Sequence, residues 1–368
     1  MIGPVTNILT SVALVAATAT GIQLPAPTGA FPVGASTLHL VDHSRPDLWV
    51  PTEPRELMVS LYYPAFPGGR SVPYASSDET RLLAQAQGFP VEAGPAFAAA
   101  KTNSHVQLPL PGKHPLVLLS PGLGAPRYTL TTLAEDLASH GYVVASLDHA
   151  YESVGTLFPG NRMLPCMACT ATDLQPLVRN RGRDASFVID QLTSRFPGLI
   201  DTSRIGVAGH SIGGASALAA MEQDPRIKSG VNMDGAFHIA APNGIQRPFL
   251  MLGNETHGPG STDATWDQVY PQLDGWKRWL TVTGTSHFSF TDAPTLLAQI
   301  GQPMPGLPAE RAIGLTREYV LAFFDQTLRG RVEPILDGPT PANPEVKFNQ
   351  VNASIRPVTR DRPRASSW

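Results

Sequence analysis

The segment Gly209-His-Ser-Ile-Gly213 constrains this chain more than any other stretch. An apolar, β-type run from Arg204 ends at Gly209, Ser211 stands between glycines, and small residues continue to Ala220. Strand, tight turn and helix in that order form the G-x-S-x-G arrangement of a nucleophile elbow. In such a turn glycine is needed wherever a Cβ would strike the neighbouring backbone, which accounts for residues 209 and 213. The turn lifts the hydroxyl clear of the sheet, and the following helix aims its free N–H groups at developing negative charge. Ser211 is therefore expected to be a nucleophile, and its neighbour His210 to be structural.

The surrounding pattern supplies a sheet for that elbow. Ser36–Val41 and Leu57–Tyr63 read as an opening antiparallel pair, and residues 64–113 are rich in Gly, Pro and Ala with one helical patch near Thr80–Gln87. From there the pattern alternates. Pro115–Leu119, Tyr142–Asp148 and Arg204–Gly209 read as strands, with helices at Leu130–His140 and Asp173–Phe196 between them. Further strands are expected at Ser229–Met233, Pro248–Leu252 and Trp279–Val282, then an amphipathic helix over Ala309–Leu328. Strands alternating with helices imply right-handed crossovers and a mostly parallel central sheet with helices on both faces. The expected class is α/β, with an α/β hydrolase fold in one domain over residues 22–342. Residues 1–21 contain the apolar stretch Ile8–Ala17 and resemble a secretory leader without a basic n-region, so an extracytoplasmic location is expected. No periodicity survives beyond Asn343, and 343–368 is expected to be a disordered tail.

Composition narrows the function classes. A formal charge of −3 across 368 residues gives no electrostatic case for nucleic acid. Cys166 and Cys169 form a C-x-x-C pair, but neither a thioredoxin-like unit nor two further zinc ligands accompany it. A local disulfide or two plain thiols is the expectation. No metal or organic cofactor is called for.

A serine hydroxyl is a poor nucleophile near neutral pH, so it needs a base, and the base needs an orienting carboxylate. In this fold the chain order is Ser, acid, His. Of the histidines after Ser211, His287 lies just beyond the last strand, in Gly284-Thr-Ser-His-Phe-Ser-Phe-Thr-Asp292. It is the expected base, while His238 and His257 are expected to pack or hydrogen-bond locally. Two carboxylates compete for the acid: Asp234 at the end of the strand after the elbow, and Glu255 at the end of the next. An oxyanion hole is expected from the N–H groups of Ile212 and Leu123, the latter in Ser120-Pro-Gly-Leu-Gly124 after the 115–119 strand. Asp148 and His149 are expected either at the rim of the pocket or capping their strand.

Taken together, Leu116–Ala125, Asp136–Ala145, Gly209–Gly214, Asn232–Gly235 and Gly284–Asp292 resemble the secreted-type platelet-activating-factor acetylhydrolases, in order along the chain. The resemblance implies an α/β hydrolase that cleaves short or oxidised acyl chains from phospholipids without calcium, and transient contact with lipid surfaces. Carried over by motif, it puts the nucleophile on Ser211, the acid on Asp234, the base on His287 and the oxyanion donors on Leu123 and Ile212. It favours Asp234 over Glu255. Pro121 departs from the family's His-Gly-Leu-Gly loop, and the resulting Ser-Pro-Gly is also similar to bacterial cutinases and polyester hydrolases. Two rivals follow: a cutinase-like polyester or triglyceride hydrolase, and a non-catalytic lipid carrier on the same scaffold.

Overall fold

The computed structural model describes residues 21–241 and 243–349. The leader reading falls outside these residues. The sheet opens with β1 (Val33–Pro46), β2 (Pro54–Pro64) and β3 (Arg70–Pro73), followed by α1 (Ser77–Ala86), α2 (Ala93–Ala98) and β4 (Lys101–Val106). The alternating body is β5 (His114–Ser120), α3 (Thr131–Ser139), β6 (Val143–His149), a small hairpin of β7 (Thr156–Phe158) and β8 (Arg162–Leu164), α4 (Gln175–Arg195), β9 (Ile200–His210) and α5 (Ile212–Gln223). It continues through β10 (Ile227–Met233), β11 (Phe249–Gly253), α6 (Thr265–Val269), β12 (Lys277–Val282), α7 (Ala293–Gln299), α8 (Ala309–Arg329) and β13 (Val346–Phe348).

Eleven strands form one sheet in the order β13-β12-β11-β10-β9-β5-β6-β2-β1-β4-β3. From β6 to β12 all neighbours are parallel; β1, β2 and β13 add antiparallel edges. A sheet covered on both faces needs strands that are apolar on both faces, and these are. In β5, Leu116 and Leu118 join the core under α4 and α5, while Val117 and Leu119 join the core under α3 and α8. β11 divides the same way, with Phe249 and Met251 on one side and Leu250 and Leu252 on the other.

Two expectations are corrected. Residues 343–349 do not belong to a structureless tail: Val346 is buried and β13 pairs with β12. Three residues are too few to show a period of two. The stretch before β5 also holds more structure than its composition suggested. Ser76 and Glu79 form a reciprocal capping box that starts α1 earlier than Thr80. With α2 it makes a small apolar unit in which Leu83 and Phe97 are buried. Cys166 and Cys169 are joined in a disulfide. Among the described residues no helix is long and apolar enough to cross a membrane.

Candidate active site

The elbow is held as tightly as its sequence demands. Ser211 has φ 56° and ψ −127°, a backbone conformation non-glycine residues rarely adopt, and its N–H donates to the carbonyl of Met233 at 2.8 Å. A Cβ on Gly213 would lie 2.0 Å from the Ser120 carbonyl oxygen, so β5 and α5 approach as closely as they do only without one. Ser211 Oγ lies 2.9 Å from His287 Nε2, and His287 Nδ1 donates to Asp234 Oδ2 at 2.7 Å. The three expected residues, from β9, β10 and the turn after β12, thus meet in one hydrogen-bonded line.

Asp234 is itself shaped by its turn. It has φ 58°, and Asn232 braces the turn by accepting from Gly235 N–H at 2.9 Å and donating to Gly235 O at 2.8 Å. The carboxylate is fully buried and accepts four bonds. Oδ1 takes the Asn254 N–H at 2.6 Å and His257 Nδ1 at 2.9 Å; Oδ2 takes Asn254 Nδ2 at 3.0 Å besides His287. Burial alone would raise its pKa, but the bonds donated by His257, His287 and the Asn254 N–H, with the electrostatic pull of His257, outweigh it and hold the carboxyl well below the usual range. Glu255, by contrast, is exposed and accepts the N–H of Gly284 at 3.3 Å. It makes no bond to His287.

The expected oxyanion donors are open. Gly124 and Ala125 spend their N–H groups on Glu152 O and Gly122 O, and Gly214 spends its own on Ser211 O. Among the described residues, the N–H groups of Leu123 and Ile212 donate to no loop or cap carbonyl. Beneath the loop lies a buried charge network that the sequence did not announce. Arg181 donates to Pro121 O at 2.6 Å and to Glu152 at 2.7 Å, and His149 bridges Ser120 Oγ and Asp184. Arg55, wholly buried, ties together Asp47, Glu152 and Asp184. Asp148 is equally buried and accepts from the backbone N–H and guanidinium of Arg127. Both residues therefore lie behind the site and not on its rim. No local sequence signal could have found this network, because its members come from five separated segments.

His210 is buried and donates through Nε2 to the carbonyl of His287 at 2.7 Å, fixing the loop that carries the imidazole. Burial, reinforced by the neighbouring His287, lowers its pKa to about 4. Between that value and the ordinary 6.5 the unfolded chain binds a proton that the folded chain refuses. Stability from this residue is therefore full above about pH 6.5 and falls as the medium is acidified towards pH 4, by roughly 3 kcal/mol in all. Urea unfolding at pH 7 and pH 4.5 should show His210→Gln losing less stability on acidification than the wild type. Equal losses would contradict this.

An apolar cavity of about 240 Å³ opens beside the elbow, lined by Leu83, Phe89, Phe97, Phe288, Leu296, Leu297 and the His210 ring among others. His210 and Phe288 are the chain neighbours of Ser211 and His287. No group of three or more metal-ligating side chains occurs among the described residues.

Comparison with known proteins finds esterases. A family model described as PETase, PET hydrolase-like, matches residues 102–302. A probable 1-alkyl-2-acetylglycerophosphocholine esterase of Arthroderma benhamiae is 29% identical over 371 residues, spanning 88% of this chain and 93% of that protein. The platelet-activating factor acetylhydrolase of Cavia porcellus is 25% identical; the match takes in 64% of this chain and 62% of its own length. A solved ferulic acid esterase from Streptomyces cinnamoneus is 43% identical, covers 90% of this chain and all of its own, and superposes with a TM-score of 0.81.

Proposed function

Since the chain belongs to the PET hydrolase-like family and is a carboxylic ester hydrolase of α/β hydrolase fold, we propose that it works through an acyl-enzyme on Ser211. The observation that carries this reading is the unbroken line from Ser211 Oγ to His287 to Asp234. Ser211 Oγ attacks the ester carbonyl carbon as its proton passes to His287 Nε2. The oxyanion so formed is held by the N–H groups of Leu123 and Ile212. Collapse expels the alcohol, which takes the proton from His287. Water then attacks the acyl-serine with His287 again as base, and the carboxylic acid leaves. Asp234 keeps Nδ1 protonated, so that Nε2 is always the nitrogen with a free lone pair when Ser211 needs it. No step requires a metal or organic cofactor.

The relatives are named for different esters: an acetylated phospholipid, a ferulate and a polyester. In this chain the apolar cavity is read as the seat of the acyl group. An acetyl group would leave most of it empty, and each further buried methylene is worth about 0.8 kcal/mol. Along a series of p-nitrophenyl esters, kcat/KM should therefore rise roughly tenfold or more from acetyl to hexanoyl. A profile that is flat or falls from acetyl onward would show that this cavity does not hold the acyl chain. Labelling by a fluorophosphonate probe, mapped to Ser211 by mass spectrometry, tests the nucleophile separately. Absence of labelling would favour a carrier that binds esters without cleaving them. Export of the chain is supported by the leader-like apolar stretch Ile8–Ala17.

A further inference from the structure

Asp234 carries two imidazoles, and the acyl-enzyme chemistry uses one. His287 occupies Oδ2, while His257 donates through Nδ1 to Oδ1 at 2.9 Å. The second ring is firmly placed. It is buried and stacked on Trp266 of α6, with centroids 4.9 Å apart and an interplanar angle of 28°. Its own carbonyl accepts from Trp279 Nε1 of β12 at 2.9 Å. β11 ends at Gly253, where a Cβ would come within 3.1 Å of both Asp234 Oδ1 and the His257 Cβ. Its far nitrogen, Nε2, lies 3.1 Å from Asp263 Oδ2. The ring therefore spends its Nδ1–H on Asp234, while Asp263 Oδ2 makes no hydrogen bond to it. A neutral imidazole with Nδ1 protonated supplies that one bond.

We propose that His257 is a positioning residue for the hydrolytic reaction: seated on Trp266 and donating to Oδ1, it fixes the Asp234 carboxylate for His287. The proposal rests on the reading of Ser211, His287 and Asp234 as the reacting line. The charged and titratable groups facing His257 are few. Asp234 and Asp263 meet its two nitrogens, and His287 lies across Asp234. Glu255, on the same turn, is directed at the Gly284 N–H, and His238 lies within the field of Asp263. The tryptophans on its face and carbonyl are neutral. Without the His257 donor, Asp234 loses one of the bonds that aim Oδ2 at His287, and the loss should fall on the chemical step more than on substrate binding.

Three variants test this. His257→Leu removes the donor and should lower kcat roughly 10- to 100-fold with KM changed less than about threefold. His257→Asn carries an N–H where Nδ1 stood; it should restore most of kcat. Asp263→Asn leaves the donor to Asp234 in place and should leave kcat within about threefold of wild type. A kcat for His257→Leu within threefold of wild type overturns the proposal. So does a loss that His257→Asn fails to repair, which would mark a residue needed only for folding. Ser211→Ala run alongside keeps the two readings apart. If it is inactive while the three variants behave as wild type, this inference alone fails. If it is active, the reading beneath it fails.

Discussion

Replacement of Ser211 by Ala should abolish ester hydrolysis while leaving the folded protein almost untouched. The side-chain oxygen makes one bond, to His287 Nε2 at 2.9 Å, and the residue is only partly buried. Among the described residues this oxygen makes no other hydrogen bond. The backbone that strains residue 211 into the elbow is held by its N–H on Met233 and by the glycines on either side, and alanine presents the same Cβ to them. Thermal unfolding should therefore change by no more than about 0.5 kcal/mol of stability. The chemistry, by contrast, loses the atom to which the acyl group is transferred. Water held near His287 could still attack an ester polarised by Leu123 and Ile212, but without the proximity of a covalently placed hydroxyl. A fall of roughly 10³- to 10⁶-fold in kcat is expected, as in other serine triads. A tenth of the wild-type rate with a p-nitrophenyl ester would mean that another residue is the nucleophile.

How much of this could be read from the residues depends on whether the signal is local. The elbow is a local object: strand, turn and helix are contiguous, and each glycine answers to a clash within a few residues or with the adjacent strand. The body of the sheet was legible for the same reason, since strands buried on both faces leave continuous apolar runs such as Pro115–Leu119. The acid was ambiguous because β10 and β11 are parallel neighbours, with Met233 beside Leu252, and a carboxylate follows the C-terminal end of each. What separates them is not in either strand. Asp234 takes a left-handed turn braced by Asn232, and a Cβ on Gly235 would lie 2.0 Å from Ser211 O. The turn is thereby packed against the elbow, while Glu255 projects outward. The network of Arg55, Arg181, Glu152 and Asp184 and the seating of His257 on Asp234 were illegible for the opposite reason. Each is a single polar residue whose meaning is supplied by partners tens to more than a hundred positions away. The strand β13 was missed because three residues carry no period.

Asp234→Asn and Glu255→Gln, compared with one ester substrate, decide the acid. Four donors converge on Asp234: the Asn254 N–H, Asn254 Nδ2, His257 Nδ1 and His287 Nδ1. A carboxylate satisfies all four. An amide has one acceptor oxygen, and its NH₂ group would confront at least one of the imidazoles with a donor where it needs an acceptor. If that imidazole is His287, the ring must turn to the tautomer with Nε2 protonated, and Nε2 can then no longer take the proton of Ser211. The loss should be roughly 10⁴-fold in kcat, the scale seen when the acid of a serine triad is replaced by its amide. A conflict of donors in so buried a place should also cost stability, about 1–3 kcal/mol, so the rates must be compared below the unfolding temperature of the variant. Glu255→Gln keeps an oxygen able to accept the Gly284 N–H, on an exposed side chain, and should alter kcat by less than about threefold. Should the glutamine variant prove the crippled one, Glu255 is the acid that orients His287, and Ser211 and His287 keep their roles.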